Sequence, residues 1–302
     1  MRVVFVVAPG VHLLDLAGPA QAFATAAELA DRSWRFSYVA ETATVTSHQG
    51  LVLQPETSWP SLTPEDLIVV PGWRAGGKPH PSRLARSTLD RIARHHAEGG
   101  TVMSVCGGAF ALAESGLLNG RRATTHHELQ EELAQRYPAV SVIQDVLFVT
   151  ADRVHTSAGI ASGIDLSLHV IAERLGARIA SRVARAMVVF ARRNGSEPQA
   201  SVLLRYRHHV DELAHRTQDI IDELYTRSLP LALLAEKVGA SQRTVTRAFT
   251  RAVGMTPLRY QQALRRERAD LLIASGVPIE TAARKVGFED ARMLRRLRQN
   301  AG

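Results

Sequence analysis

The sequence predicts an α/β domain, doubly wound about a parallel sheet, followed by an all-α domain with two helix-turn-helix units. Three observations predict it. The chain has 302 residues, more than one average domain and enough to bury two cores. Its first two-thirds alternates short β-branched runs with longer helical patterns, the signature of βαβ units. Its last third shows helical periodicity alone and contains an internal duplication. Hydrophobic residues make up 45% and charged residues 22%, with a mean hydropathy of -0.07, which excludes disordered, collagen-like and membrane-embedded classes. The single cysteine, Cys106, excludes an internal disulfide. The apolar run Val3–Ala8 is too short for a signal-peptide core or a membrane span, so a cytoplasmic compartment is expected.

Strands are expected at Val3–Val7, Phe36–Ala40, Leu67–Val70, Thr101–Val105 and Val146–Val149. Helices are expected at Leu16–Ala30, Ser82–Glu98, Ala109–Glu114, Glu128–Tyr137 and Gly163–Leu175. Val146–Thr150 and Arg153–Thr156, joined through Ala151–Asp152, read as an edge hairpin. Sheets of this kind place ligands beyond the carboxyl ends of their strands, which singles out Pro9–Gly10, Pro71–Gly72 and Cys106–Gly107–Gly108. Ile179, Val183, Met187 and Phe190 then repeat at helical spacing, in a helix expected to end near Arg193. The polar stretch Asn194–Gly195–Ser196–Glu197–Pro198 breaks that pattern and marks the seam. The expected division is a first domain 1–193, a linker 194–208 and a second domain 209–302.

Charge separates the two domains. Residues 203–302 carry 18 Lys and Arg against 11 Asp and Glu, a balance of +7 out of the chain's +8. A basic surface confined to one domain suits a polyanion, with nucleic acid ahead of membrane because no apolar helix face accompanies it. A solvated basic face without a partner explains the charge equally well, and the duplication decides between them.

Leu231–Phe249 aligned on Ile279–Leu297 superimposes Ala-x-Lys-Val-Gly on itself at a period of 48 residues. Each copy has a small residue where two helices cross, Ala235 or Ala283, and four residues later a turn glycine, Gly239 or Gly287. Val245 or Met293 is expected to pin the second helix to the first. Ser241 can cap that helix in the first copy. Between the copies, Pro257–Ala274 reads as one helix, roughly 27 Å long at 1.5 Å per residue. Second helices held about one DNA turn apart can enter successive major grooves on one face of a duplex. Candidate DNA contacts are Ser241, Gln242, Arg243, Thr244, Thr246 and Arg247 in the first copy, and Asp290, Arg292, Arg295 and Arg296 in the second. Arginines suit guanine edges or phosphates, and Gln242 suits adenine.

These residues resemble the C-terminal domain of AraC/XylS transcription regulators. The resemblance rests on Arg243-x-Val245-x-Arg247-x-Phe249, Gly254-x-x-Pro257-x-x-Tyr260 and Arg265-x-x-x-Ala269-x-x-Leu272-Ile273, and covers about residues 210–299. The family usually continues after its second unit with an aromatic residue, a Gly-x-x-Pro-x-x-Tyr segment and a closing helix. Here Leu294 and Arg298 stand near Gly302, so a less firmly capped second unit is expected.

In the first domain Cys106 follows a buried-type strand, and Gly107–Gly108 allow a tight turn into a helix, the geometry of a nucleophile elbow. Free backbone N–H groups and a helix N-terminus there are expected to favour the thiolate. A small buried apolar cysteine is the plainer reading. His95–His96 and His208–His209 sit in polar helical stretches and read as surface residues rather than metal ligands. No metal and no cofactor are expected.

The first domain resembles the PfpI-like, class I glutamine amidotransferase-like superfamily. The carrying motifs are Pro9-Gly10-x4-Asp15-Leu16-x-Gly18-Pro19, Val69-Val70-Pro71-Gly72, Val105-Cys106-x-Gly108 and Gly120-Arg121-Arg122-Ala123-Thr124-Thr125-His126. Thr156-Ser157-Ala158-Gly159-Ile160-Ala161 and Val188-Val189-x3-Arg193-x-Gly195 are similar to its GlxA-type regulator branch. This resemblance implies a flavodoxin-like fold, a homodimer, and a ligand pocket at Asp15, Gly72, Cys106, Gly107 and His126. Superfamily peptidases carry a histidine directly after the cysteine as base, where this chain has Gly107. Isocyanide-hydratase relatives pair the thiol with an acid near the position of Asp15, and many follow it with threonine.

Two classes of function follow. A one-component transcription regulator would sense a small metabolite in the first domain and bind double-stranded DNA with the second, with no catalytic residue. A thiol-dependent hydratase or lyase with an appended helical domain is the alternative. The absence of a base beside Cys106 favours the regulator.

Overall fold

The computed structural model describes residues 1–73, 84–189, 195–196, 199, 206–207, 209–274 and 276–299. It divides into two compact bodies, Met1–Gln199 and Ala200–Gly302. Most of the expected seam and linker lies outside the described residues. Gly195 and Gln199 are described, and both are tied to the first body. The Gly195 carbonyl accepts the Leu147 N–H at 2.9 Å, and the Gln199 N–H donates to Asp145 Oδ1 at 3.1 Å.

A six-stranded sheet organises the first body. Its strands in chain order are β1 (Arg2–Val6), β2 (Arg35–Val39), β5 (Leu67–Val70), β6 (Thr101–Val105), β9 (Phe148–Ala151) and β10 (Val154–Ser157). They are arranged β2-β1-β5-β6-β10-β9. All pairings are parallel except β9 with β10. Counting the parallel strands alone, the order is 2-1-3-4-5, the flavodoxin-like arrangement, and chain direction across the sheet reverses between β1 and β5. β5 reads as an unbroken apolar run, and β6 as an apolar or β-branched one broken only by the small Ser104, because both faces are covered.

Period-two alternation splits β1 between two cores. Val3 and Phe5 pack with Phe23 and Ala26 of α1 (Leu13–Leu29) and with Leu168 and Ile171 of α5 (Ser162–Leu175). Val4 and Val6 face the opposite layer, with Leu89 and Ile92 of α2 (Arg86–Ala97) and Phe110 of α3 (Gly108–Glu114). Each such side chain, fully buried, contributes on the order of 1.5–3 kcal/mol. Two minor pairs, β3 (Val45–Thr46) with β4 (Val52–Leu53) and β7 (Arg122–Ala123) with β8 (Ser141–Val142), are too short to carry a sequence period. Helix α4 (Gln130–Arg136) lies between β7 and β8 in the chain.

Several expectations are corrected. The edge hairpin turns through Asp152 and Arg153, with φ of 47° and 58°, because Ala151 pairs with Val154; positive φ at both central residues matches the right-handed strand twist. Helix α6 (Ala177–Ala186) ends at Met187, and Val188 takes φ of 56°, so the helix stops short of Phe190–Arg193, which lie outside the described residues. His95 and His96 are buried rather than exposed. Their Nε2 atoms bond the carbonyls of Asp66 and Asp152 at 3.1 and 2.8 Å, tying α2 to the sheet.

Among the described residues the second body's regular structure is all helical: α7 (Glu212–Leu224), α8 (Leu231–Val238), α9 (Gln242–Val253), α10 (Pro257–Ala274), α11 (Ile279–Lys285) and α12 (Ala291–Gln299). Ser241 caps α9, accepting the Thr244 N–H at 3.2 Å. The 18-residue α10 serves two cores. Tyr260 and Leu264 pack with Phe249 and Leu234, whereas Ala269 packs with Ala283, Phe288 and Leu294.

The duplication changes register inside its turn. Ala235 and Ala283 are both buried, as the period of 48 predicts, but the residue pinning the second helix is Leu294, fully buried, with Met293 half-exposed. Asp290, standing before α12, accepts the Arg292 N–H at 2.7 Å, the role Ser241 plays one residue earlier in its copy. One extra residue in the second turn therefore shifts the period to 49. Gly287 shows why that turn is tight. It has φ of 91°, and a Cβ there would run into the Thr226 carbonyl, whereas Gly239, at φ of 68°, meets nothing within 4 Å. We expect Gly287→Ala to cost about 2 kcal/mol or more against about 1 for Gly239→Ala. Urea unfolding of the two variants checks the order.

Candidate functional site

In the first body three strand ends and one helix converge beside the position where the sheet reverses. Cys106 sits between β6 and α3 with φ of 53°, a left-handed conformation rare outside glycine. Its N–H bonds the Ser157 carbonyl at 3.0 Å, and its carbonyl accepts the Thr125 hydroxyl at 2.7 Å. Asp15, in the first turn of α1, is fully buried. Its Oδ1 accepts the Ile160 N–H at 2.7 Å, and its buried Oδ2 lies against Gly72 and Cys106. Gly72 closes the space from the end of β5. A Cβ on it would lie 2.6 Å from Asp15 Oδ2, 2.8 Å from Cys106 Cβ and 2.9 Å from the Gly107 nitrogen. Gly159 closes it from beyond β10, where a Cβ would lie 2.8 Å from the Cys106 Sγ.

Burial dominates the electrostatics. It pushes the Asp15 carboxyl up to about 6, with the Ile160 and Gly72 amides and the Cys106 thiol countering part of the rise. Burial, and next the Asp15 charge, push the Cys106 thiol well above the usual range, against the Gly107 amide. The expected thiolate is thus corrected to a protonated thiol, since desolvation outweighs the short helix α3. Of the residues singled out in sequence, Asp15, Gly72, Cys106 and Gly107 come together. His126 instead caps the short turn His127–Leu129 through Nδ1, which accepts the Glu128 N–H at 3.4 Å. Gly159 and Ile160 belong to the site and were not singled out, although they stand in a quoted motif.

In the second body Gln242, Arg243 and Arg247 are exposed on α9, and Ser241 is exposed at its cap. Thr244 and Thr246 are half-buried, Thr244 Oγ1 lying 2.8 Å from Ser241 Oγ. Gln242, Arg243, Thr246 and Arg247 share a surface groove with Leu231, Thr250 and Arg251. Thr250 and Arg251 extend the exposed face by one helical turn, which 3.6-residue spacing predicts. Asp290, Arg292 and Arg295 share a second groove with Glu280 and Arg284, and Arg296 is exposed on the same helix.

Residues 1–173 match the DJ-1/PfpI family. The chain belongs to the DJ-1/PfpI family. Residues 234–300 match a helix-turn-helix domain, of AraC type, so this DJ-1/PfpI protein carries an AraC-type DNA-binding module. Among its relatives, the isonitrile hydratase of Pseudomonas putida is 33% identical over 61% of this chain and 76% of its own length. The HTH-type transcriptional regulator CdhR of Pseudomonas aeruginosa is 29% identical over 81% and 72%. A crystal structure of a THiJ/PfpI family protein from Pseudomonas syringae superimposes with a TM-score of 0.53 at 25% identity, covering 78% of this chain and 88% of that one. The helix-turn-helix domain, together with the regulators among the relatives, decides for a transcription regulator. No described helix is long and apolar enough to cross a membrane.

Asp15 links this site to stability. Its pKa rises from 3.8 to about 6 on folding, so its favourable contribution is complete below 3.8 and is lost as pH climbs through 6. We expect Asp15→Asn to gain on the wild type by up to about 2–3 kcal/mol between pH 4 and 7, read from urea unfolding at each pH. A gap that stays constant across the range would refute this. Iodoacetamide should alkylate wild-type Cys106 at neutral pH roughly tenfold or more slowly than a free cysteine, and faster in Asp15→Asn.

Proposed function

We propose that this regulator senses a small, uncharged or weakly polar metabolite in the first domain and converts its binding into a change of DNA affinity. The effector site comprises Asp15, Gly72, Cys106 and Gly107, with His126 at its margin. The observation that carries the reading is the buried Asp15–Cys106 pair. It offers a carboxyl met by the neighbouring Gly72 amide and Cys106 thiol, and a protonated thiol, walled by glycines. That arrangement suits hydrogen-bonded recognition better than nucleophilic attack, which needs a thiolate. The protein is therefore read as a sensor rather than an enzyme. It acts as a cytoplasmic homodimer, with a sensing domain 1–193, a linker 194–208 and a DNA-binding domain 209–302.

Coupling requires that the effector prefer one arrangement of the chain. The Thr125 hydroxyl bonds the Cys106 carbonyl, and the Thr125 carbonyl accepts Gln199 Nε2 at 2.9 Å. A shift at the Cys106 turn would thus reach the end of the first body in two hydrogen bonds. On the DNA side, Ser241, Gln242, Arg243, Thr244, Thr246 and Arg247 read one half-site, and Asp290, Arg292, Arg295 and Arg296 the other.

Cys106→Ser should keep operator binding in a gel-shift titration while altering the thermal shift given by metabolites related to the neighbouring target genes. Turnover of such a metabolite by the wild type, lost in Cys106→Ser, would return the hydratase reading. Arg247→Ala should weaken operator binding by about 1–3 kcal/mol if it contacts a base. Unchanged affinity would remove it from the interface.

A further inference from the structure

The two DNA-reading units differ in how their arginines are occupied. On α9 no described carboxylate pairs with Arg243 or Arg247, and Arg251 alone is bound, to Asp211 at 2.9 Å. On α12 the pattern reverses at three of the four arginines, and no described carboxylate pairs with Arg296. Arg292 Nε is held by Asp290 at 2.6 Å, Arg295 is bound by Glu280, and Arg298 is bound by Asp270 at 2.9 Å. The duplication shows where the difference arises. Glu280 occupies the place of Ala232 on the first helix of its unit, and Asp290 occupies the place of Ser241 at the cap. Both replacements put a carboxylate on the rim of the groove that α12 presents, and Glu289 adds a third.

A carboxylate at that rim has three effects on a duplex. It repels phosphate oxygens, and it neutralises a guanidinium that would otherwise pair with any phosphate it met. It can also accept a hydrogen bond from the amino group of cytosine, as side-chain carboxylates do in the major groove. Phosphate contacts hold a protein on DNA of any sequence, whereas base contacts discriminate. An arginine released from a carboxylate only when a matching base replaces it penalises wrong sequences more than right ones.

We propose that Asp290 and Glu280 are specificity determinants, which strip the second unit of general affinity for phosphate so that the first unit supplies the grip and the second the discrimination. This rests on the DNA-binding reading above. Asp290→Ser with Glu280→Ala restores the first unit's residues at both places and keeps a capping side chain. Asp290→Asn, also a good cap, guards against a folding defect in that double variant.

Fluorescence anisotropy over a range of salt, with a mixed-sequence duplex and an operator fragment recovered by genomic selection, provides the test. The double variant should bind the mixed-sequence duplex about tenfold more tightly, with a slope of log affinity against log salt steeper by about one to two. Its preference for the operator fragment should fall, and Asp290→Asn should move in the same direction. A slope and preference unchanged in both variants, while the wild type binds and Arg247→Ala weakens it, would overturn this proposal alone. A wild type that binds neither duplex would overturn the DNA-binding reading and this proposal with it.

Discussion

The first domain depends on how closely its backbone turns approach at the carboxyl edge of the sheet. At Gly72, Gly108 and Gly159 an added Cβ would collide with Asp15 and Cys106, with the Val70 carbonyl, and with Cys106 itself. Adjacent strands lie less than about 5 Å apart, so the loops leaving β5, β6 and β10 can meet there only without side chains. This crowding holds Cys106 at φ of 53°, a strained conformation that persists because the Ser157 carbonyl and the Thr125 hydroxyl fix the residue on both sides.

The same crowding sets the charge state. A helix N-terminus stabilises a nearby anion by about 0.3–1 kcal/mol, and α3 has only seven residues. Desolvation of a group buried as deeply as Cys106 is worth several pKa units, so the thiol stays protonated although the turn has the outline of a nucleophile elbow. Asp15 responds less, because the Ile160 N–H meets one of its oxygens directly. One fold can host either catalysis or recognition, so the charge state of this pair bears on function where the fold alone does not.

What was legible in the sequence follows from the same physics. β5, β6 and the spacer α10 could be read because largely apolar or β-branched runs and an uninterrupted helical period are local signals. His95 and His96 could not. Their polar neighbours place them on the surface, and only the fold brings the carbonyls of Asp66 and Asp152 to them. Asp15, Gly72, Cys106 and Gly107 were reachable as strand-end residues or through family motifs. Ile160 contributes a backbone N–H, which any residue except proline would supply, so its side-chain chemistry could not flag it. The end of α6 at Met187 was hidden by Phe190, whose spacing continues the apolar stripe beyond the last helical hydrogen bond.

The helix-turn-helix duplication shows how identity and packing can part company within one motif. Residue identity keeps the copies in step through Gly239 and Gly287, and extended further it pairs Val245 with Met293. Burial pairs Val245 with Leu294 instead, because the second turn holds one more residue before its helix can start. The insertion preserves the outward faces: Arg243 and Arg247 correspond to Arg292 and Arg296, all exposed. It changes what stands at the helix start, where a hydroxyl caps α9 and a carboxylate caps α12. Both caps satisfy a backbone N–H equally well, so folding tolerates either. The two helix starts therefore differ in charge, neutral at Ser241 and negative at Asp290, with no difference in the capping they provide.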